Sequence, residues 1–207
     1  FQSYLKQYPQ GLYVEVARLK IGGQQNVTSI SNYNSARRFS GDAVHFQDNQ
    51  DGTATDTKTG LQWMRCSLGQ YWENNTCIGK AIKYTWQKAL DKARSFSYAG
   101  YSNWRVPTIK ELDSLVYCSN GKQLQYKNNG FWAMETEGSG WCKSNTRGTY
   151  KNPTILHVVF PNTEKWSFWS SSRDTTEGSG NAWAVYFNYG YNGSRYGGHF
   201  HYVRLVR

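Results

Sequence analysis

The stretch Ala182–Arg207, AWAVYFNYGYNGSRYGGHFHYVRLVR, places two strand-like segments around a middle part without a hydrophobic pattern. Apolar residues alternate with the others over residues 183–188, which is the period of a half-buried strand. Residues 202–207, YVRLVR, are β-branched, aromatic and charged, and they predict a second strand. We therefore expect a terminal hairpin whose strands enclose a long connecting segment.

The middle part has the composition of a recognition surface. Tyr offers a large contact area at low entropy cost, Asn and Ser form adaptable hydrogen bonds, and Gly permits unusual loop shapes. The alternative is a Gly-rich hairpin that carries ordinary surface aromatics. The predicted ligand-binding residues are Tyr186, Asn188, Tyr189, Tyr191, Asn192, Ser194, Arg195, Tyr196, His199 and His201.

Several residue types are missing from this part of the chain. From Ala184 onward there is no Lys, Glu, Gln, Met or Trp, although Lys, Gln and Trp are common earlier. Every type that is present has a codon ending in a pyrimidine, and the missing types have none. A binding surface of fixed sequence does not explain this restriction.

Five motifs occur together near the end of the chain: Trp169-Ser-Ser-Ser172, Ala182-Trp183, Val185-x-Phe187, Gly190 and Tyr202-Val-Arg-x-Val-Arg207. The combination resembles the variable proteins of diversity-generating retroelements. The resemblance spans residues 46–207. The phrase Gly100-Tyr-Ser-Asn-Trp-Arg-Val-Pro-Thr108 is similar to one found in the larger bacterial Lcl C-terminal domain family.

The resemblance implies a C-type-lectin fold with two helices, a loop-rich second half, and pairing of the first and last strands. It also implies that error-prone reverse transcription varies selected codons on a fixed scaffold. We therefore predict an α+β C-type-lectin-like domain over residues 42–207. The fold also resembles that of formylglycine-generating enzymes, but likeness of fold does not imply their activity.

Residues 1–41 are predicted to form an N-terminal helical extension and a linker. Leu12, Val16 and Leu19 fall on one face of a helix, and residues 22–41 are polar and rich in Ser, Asn and Gly. The helix either packs on the domain or belongs to a connecting region before it. Because the chain starts at Phe1 without a signal peptide, we expect a processed product or a fragment.

Local signals predict the scaffold elements. Residues 46–63 favour two strands around a turn at Asp51-Gly52. A helix is expected over Thr85–Ser95, with Thr85 as its N-cap. Thr108 and Glu111 have the spacing of a capping box and predict the start of a second helix.

Four cysteines, Cys66, Cys77, Cys118 and Cys142, allow three pairings. They form no close C-x-x-C pair of the kind that zinc sites use. The simplest interpretation is two local disulfides, Cys66–Cys77 and Cys118–Cys142, and the family resemblance implies the same pairing. Disulfides indicate an oxidising compartment, so we expect the protein in the periplasm, at the cell surface or outside the cell.

The charge balance favours an acidic partner. Lys and Arg number 24 against 14 Asp and Glu, and no acidic residue follows Glu177. A basic, Tyr-rich face would attract an acidic protein or glycan. We expect no nucleic-acid partner, because the sequence contains no recognition motif of that class, and no direct membrane insertion. A monomer or a small oligomer is expected.

The sequence predicts a binding protein, not an enzyme, with no cofactor and no metal. It lacks a nucleophile elbow, a phosphate-binding loop and an HExxH motif. A calcium loop centred on Gly52 would begin at Gln47 and end at Lys58, where carboxylates are needed. The alternative function is a fixed-specificity surface adhesin for acidic or sulfated polysaccharide.

Overall fold

A computed structural model describes residues 37–120, 142, 150–175 and 180–207. All of these residues except Arg37 belong to a compact unit that runs from Arg38 to Arg207. The helix expected over Phe1–Lys20 lies outside the described residues, as does most of the linker after it. The predicted boundary between residues 41 and 42 therefore stays a prediction.

The described residues form an arrangement of three small sheets and two α-helices, which confirms the α+β part of the predicted fold class. The sheets have the strand orders β1-β2-β3-β4, β5-β6 and β7-β8-β9. The elements are β1 (Arg37–Arg38), a 3-10 turn (Gly41–Ala43), β2 (Phe46–Asp48), β3 (Thr53–Asp56), β4 (Gln62–Met64), β5 (Tyr71–Glu73), β6 (Thr76–Ile78), α1 (Trp86–Arg94), α2 (Ile109–Asp113), β7 (Ser167–Arg173), β8 (Asn181–Tyr186) and β9 (Tyr191–Tyr196).

Both predicted helices are present. Helix α1 follows Thr85, whose backbone is extended as an N-cap requires, although its side chain makes no capping hydrogen bond. At α2, Thr108 Oγ1 accepts from the Glu111 N–H, and the Glu111 carboxylate accepts from the Thr108 N–H at 2.7 Å. This is the predicted capping box, which satisfies two N–H groups that the helix itself cannot.

The predicted hairpin around Asp51-Gly52 is also confirmed, and β4 adds a further strand to it. The Asp51 carboxylate accepts from the Thr53 N–H at 2.9 Å and closes the turn. Gly52 has φ +84°, and a side chain there would collide with Tyr98 and Trp72. Only glycine fits both the backbone conformation and the available space.

Strand β8 is the middle strand of the β7-β8-β9 sheet and has buried residues on both faces. Ala182, Ala184 and Tyr186 belong to a core cluster shared with α1, whereas Val185 belongs to a second cluster shared with α2. The expectation of a half-buried strand was therefore wrong. The reason is that helices and loops cover both sides of the β7-β8-β9 sheet.

The strand that pairs with β8 at the terminal hairpin is β9, not residues 202–207. Six residue pairs join β8 to β9, from Asn181↔Tyr196 to Tyr186↔Tyr191. The middle part that lacks a hydrophobic pattern thus contains a regular strand. Because β9 is the last strand of its sheet, main-chain pairing with β8 forms it without an alternating apolar pattern.

Residues 202–207 form isolated bridges in place of the predicted regular strand. Val206 is bridged to Trp63 in β4 and also to Arg105. Arg207 exchanges two main-chain hydrogen bonds with Gln62, of 2.9 and 3.0 Å. This segment therefore lies between β4 and Arg105 and joins the two ends of the compact unit.

Both predicted disulfides are confirmed. Cys66 is bonded to Cys77 and Cys118 to Cys142, with Cα–Cα distances of 5.4 and 5.2 Å. Disulfides of this kind persist in an oxidising environment. Within the described part of the chain, neither helix has the length and apolar character needed to cross a bilayer.

Candidate functional site

The candidate site is built on the β8–β9 hairpin and on residues 197–201, which follow it. A four-residue turn, Phe187–Gly190, joins the strands, and the Gly190 N–H donates to the Tyr186 carbonyl at 2.7 Å. Gly190 has φ +74°, a conformation that glycine adopts without strain. The turn fixes the register that sets Tyr186 opposite Tyr191.

Six of the ten predicted ligand-binding residues form a continuous series of ring contacts, which we call the aromatic row. Its inner pair, Tyr186 and Tyr191, is stacked with centroids 4.6 Å apart and planes 3° apart. Arrangements of this kind are favourable beyond the area they bury. In spatial order the row consists of Tyr189, Tyr191, Tyr186, His201, His199 and Tyr196, with neighbouring centroids 4.6 to 6.4 Å apart.

The two ends of the aromatic row are exposed and its middle is buried. Tyr189 and Tyr196 expose 46% and 61% of their surface, and His199 is also exposed. Tyr186 and Tyr191 expose only 8% and 7%. The row therefore offers contact area at both ends, while the inner rings support it from the core.

Arg195 lies against the buried middle of the row. Its guanidinium carbon is 4.5 Å from the centre of the Tyr186 ring, and Nε donates to the Tyr186 hydroxyl. A second nitrogen donates to the Tyr191 hydroxyl at 3.4 Å. Partial burial lowers the pKa of Arg195 from its ordinary value. Arg195 thus places a positive charge beside the aromatic row.

His201 is held by both its ring and its main chain. Its ring contacts Trp169 edge-on at 4.4 Å, and its main chain exchanges two hydrogen bonds with Tyr84. Burial, together with the charges of Arg195, His199 and Lys83, lowers the pKa of His201 to about 4. The imidazole is therefore neutral at neutral pH.

The His201 Nδ1 shares a hydrogen bond with the Ser167 hydroxyl, a pairing that also occurs in nucleophilic enzymes. Here Ser167 is fully buried in β7. A nucleophile must be able to meet a substrate carbonyl or phosphoryl group, and this hydroxyl is covered by protein. We interpret the pair as a structural contact between β7 and the residues after β9.

The polar members of the predicted set have separate environments. Asn192 is buried and donates to the Asp113 carboxylate at the end of α2, at 3.0 Å. Burial raises the pKa of Asp113, and the bond from Asn192 opposes that effect. Among the described residues, the Asn188 Oδ1 and Ser194 Oγ atoms are buried without a hydrogen-bond partner. Both positions therefore have spare hydrogen-bonding capacity beside the row.

Two scaffold residues that were not among the predicted site residues also border the site. Lys83 precedes Tyr84, whose main chain pairs with His201, and its ammonium lies 5.0 Å from the Tyr202 ring and 5.6 Å from the Trp166 ring. Trp166 exposes 48% of its surface, which is unusual for tryptophan. No local pattern links residue 83 to residue 201, so only the bridge between Tyr84 and His201 reveals this neighbour.

Within the described ranges, no three His, Cys, Asp or Glu side chains converge as a metal site requires. Arg195 and Lys83 place positive charge near the row. They surround aromatic rings and neutral polar groups. This arrangement can make aromatic and charge-assisted contacts.

In a comparison with known families, the family model of the Lcl C-terminal domain matches residues 52–207. The matched region contains both helices, both disulfides and all ten predicted ligand-binding residues. No curated protein matches the chain.

Proposed function

Because the chain belongs to the Lcl C-terminal domain family, we propose that it is a ligand-binding protein with a diversified recognition surface. In this proposal the scaffold has a C-type-lectin-like fold, and the β8–β9 hairpin with residues 197–201 forms the surface. A retroelement varies selected codons of this segment. The protein acts by binding, without a catalytic step.

The observation that supports this proposal best is the aromatic row. Six of the residues predicted from the sequence to bind the ligand come into continuous ring contact, although they lie on two strands, a turn and a following segment. A Gly-rich hairpin with ordinary surface aromatics would not require such continuity. Tyr-rich surfaces of this kind are typical of adaptable binding sites.

Recognition would begin at the exposed ends of the row. Tyr189 and Tyr196 offer rigid contact area, and His199 adds a polar edge. Arg195 and Lys83 would draw in an acidic protein or glycan. Ligand contact by the buried residues Tyr186, Tyr191, Asn192 and His201 stays a prediction, and it would require a partner that reaches past the exposed ends.

The test is to sequence the 3′ end of the gene, with its flanking DNA, in several isolates. We expect differences confined to codons such as those of Tyr189, Ser194, Tyr196 and His199, while Trp183, Gly190 and Arg207 stay constant. A near-copy of this coding stretch beside a reverse-transcriptase gene should accompany them.

Uniform or evenly scattered differences would contradict diversification. The fixed-specificity adhesin for acidic or sulfated polysaccharide would then be the better hypothesis. A screen of binding to such glycans would follow, with an Arg195→Ala variant to test whether the charge beside the row contributes.

A further inference from the structure

We propose that the scaffold holds the turn of the binding hairpin through main-chain carbonyls, so that the side chains at 188 and 189 can change without displacing the backbone. The inference deepens the proposed function, on which its purpose rests. It is supported by hydrogen bonds within the protein, which do not depend on the identity of the ligand.

Three consecutive carbonyls of the turn accept hydrogen bonds from outside the hairpin. The Phe187 carbonyl accepts from the N–H and the hydroxyl of Thr154, at 2.6 and 2.7 Å. The Asn188 carbonyl accepts from the Asn152 side-chain amide at 3.0 Å. The Tyr189 carbonyl accepts from the Cys142 N–H at 3.0 Å. We call these donors the carbonyl clamp.

Two residues of the clamp, Thr154 and Cys142, are themselves anchored by the scaffold. Thr154 is fully buried, and its carbonyl accepts from the Tyr117 N–H at 3.0 Å. Cys142 is bonded to Cys118, which follows Tyr117 directly in the sequence. The disulfide and the main-chain bond therefore anchor Cys142 and Thr154 to the same segment after α2.

A carbonyl has the same chemistry whatever side chain its residue carries. The clamp therefore does not depend on the identity of residues 188 and 189. Among the described residues, the buried oxygen of the Asn188 side chain has no hydrogen-bond partner, and nearly half of the Tyr189 surface is exposed. Either side chain can be replaced while every bond of the clamp remains.

Gly190 is the one turn position at which the scaffold excludes a side chain. A Cβ there would lie 2.9 Å from Cys142 Sγ and 3.0 Å from Val116, in addition to the strain of φ +74°. The disulfide thus packs directly against the glycine. The turn combines two positions that are held through their carbonyls with a neighbouring position that must stay glycine.

The experiment is hydrogen exchange of the full chain, read at the Tyr189 and Gly190 amides, which both donate to the Tyr186 carbonyl. One clamp variant is Asn152→Ala, and the other combines Cys118→Ser with Cys142→Ser. The matched control removes the other disulfide with Cys66→Ser and Cys77→Ser. A further pair, Asn188→Ser and Tyr189→Ser, changes the side chains and leaves the clamp.

We expect exchange at both amides to accelerate roughly tenfold without the Cys118–Cys142 bond and about threefold in Asn152→Ala. The control and the side-chain variants should stay within about twofold of the original chain. Unchanged exchange in Asn152→Ala would overturn the proposal, and so would equal acceleration in the control. If the Cys118/Cys142 variant does not fold, Asn152→Ala against Asn188→Ser decides the question.

This result is independent of whether the gene is diversified. Hydrogen exchange needs no ligand and no other isolate. If hydrogen exchange supports the clamp but the gene does not vary among isolates, the proposed function is contradicted and the clamp is not. If the gene varies but the exchange rates do not depend on the clamp, the clamp is contradicted and the proposed function is not.

Discussion

At the scale of single residues, neighbouring tyrosines of the hairpin differ in what surrounds them. Tyr189 lies at the exposed end of the aromatic row, whereas Tyr191 is stacked on Tyr186 and belongs to the core cluster shared with α1. The sequence assigns both to the same binding surface. Only the three-dimensional arrangement shows that the Tyr189 ring is exposed to solvent and that the Tyr191 ring is packed in the core.

Replacing these two tyrosines should therefore have unequal effects on stability. Tyr191→Ala removes a buried ring, and we expect it to lower the free energy of unfolding by about 2–4 kcal/mol. Tyr189→Ala should change it by less than about 0.5 kcal/mol, because that ring is largely exposed. Chemical denaturation of both variants measures the difference, with Tyr196→Ala as a second exposed control. Equal losses for Tyr189 and Tyr191 would contradict this assignment.

At the scale of elements, helix α2 is joined to the C-terminal segment through one carboxylate. Glu111 completes the capping box and also accepts two 2.7 Å hydrogen bonds from Arg105, whose main chain pairs with Val206. These bonds from Arg105, followed by those from Thr108, lower the pKa of Glu111 from 4.5 to about 2. The start of the helix and the segment beside β4 thus share a titratable group.

The lowered pKa of Glu111 predicts how the stabilisation from its contacts with Arg105 and Thr108 changes with pH. In the unfolded chain Glu111 binds a proton near pH 4.5, whereas in the folded chain it does so only near pH 2. The stabilisation is therefore complete above about pH 4.5 and is lost as the pH falls towards 2. Denaturation at pH 6 and pH 3 should show that Glu111→Gln differs from the original chain more at pH 6.

The matched control for this experiment is Asp91→Asn. Asp91 pairs with Arg94 on the exposed face of α1, where both side chains are more than half exposed. Such surface pairs contribute little. If Glu111→Gln shows no greater pH dependence than Asp91→Asn, the junction does not depend on the ionised carboxylate.

The elements that the sequence predicts well are those with local signals. The capping box at Thr108, the amphipathic pattern of α1 and the Asp51-Gly52 turn each depend on residues close together in the chain. Strand β9 was missed because its order comes from main-chain pairing with β8, which leaves no alternating pattern. The location of Lys83 could not be predicted either, because a bridge between distant segments brings it to the site.

At the scale of the whole molecule, Arg204 connects parts of the chain that are far apart in sequence. It is fully buried and donates to the Met64 carbonyl at 2.9 Å, to the Arg65 carbonyl and to the Thr163 hydroxyl at 2.7 Å. Its guanidinium also lies 4.8 Å from the Phe160 ring. Burial lowers the pKa of Arg204 to about 9, which still leaves it charged at neutral pH.

Removing this guanidinium should affect the stability of the entire unit. Arg204→Met retains much of the volume but leaves three acceptors without their donor. We expect a loss of about 2–4 kcal/mol in the free energy of unfolding. Arg94→Met, at an exposed position on α1, should cost less than about 0.5 kcal/mol. A small effect at Arg204 would mean that water or a rearrangement satisfies the acceptors.

The location of residues 202–207 predicts how frameshift mutations earlier in the gene affect folding. β4 pairs with β3 on one side, and it gains a second neighbour only when Leu205 and Arg207 have been synthesised, because these residues make main-chain hydrogen bonds to Met64 and Gln62. An inserted or deleted nucleotide anywhere in codons 184–201 would shift the reading frame and replace this second neighbour. Such a product would lack Arg204 as well, so we expect its folded state to be strongly destabilised. In-frame substitutions, by contrast, leave the last strand-like segment and its contacts unchanged.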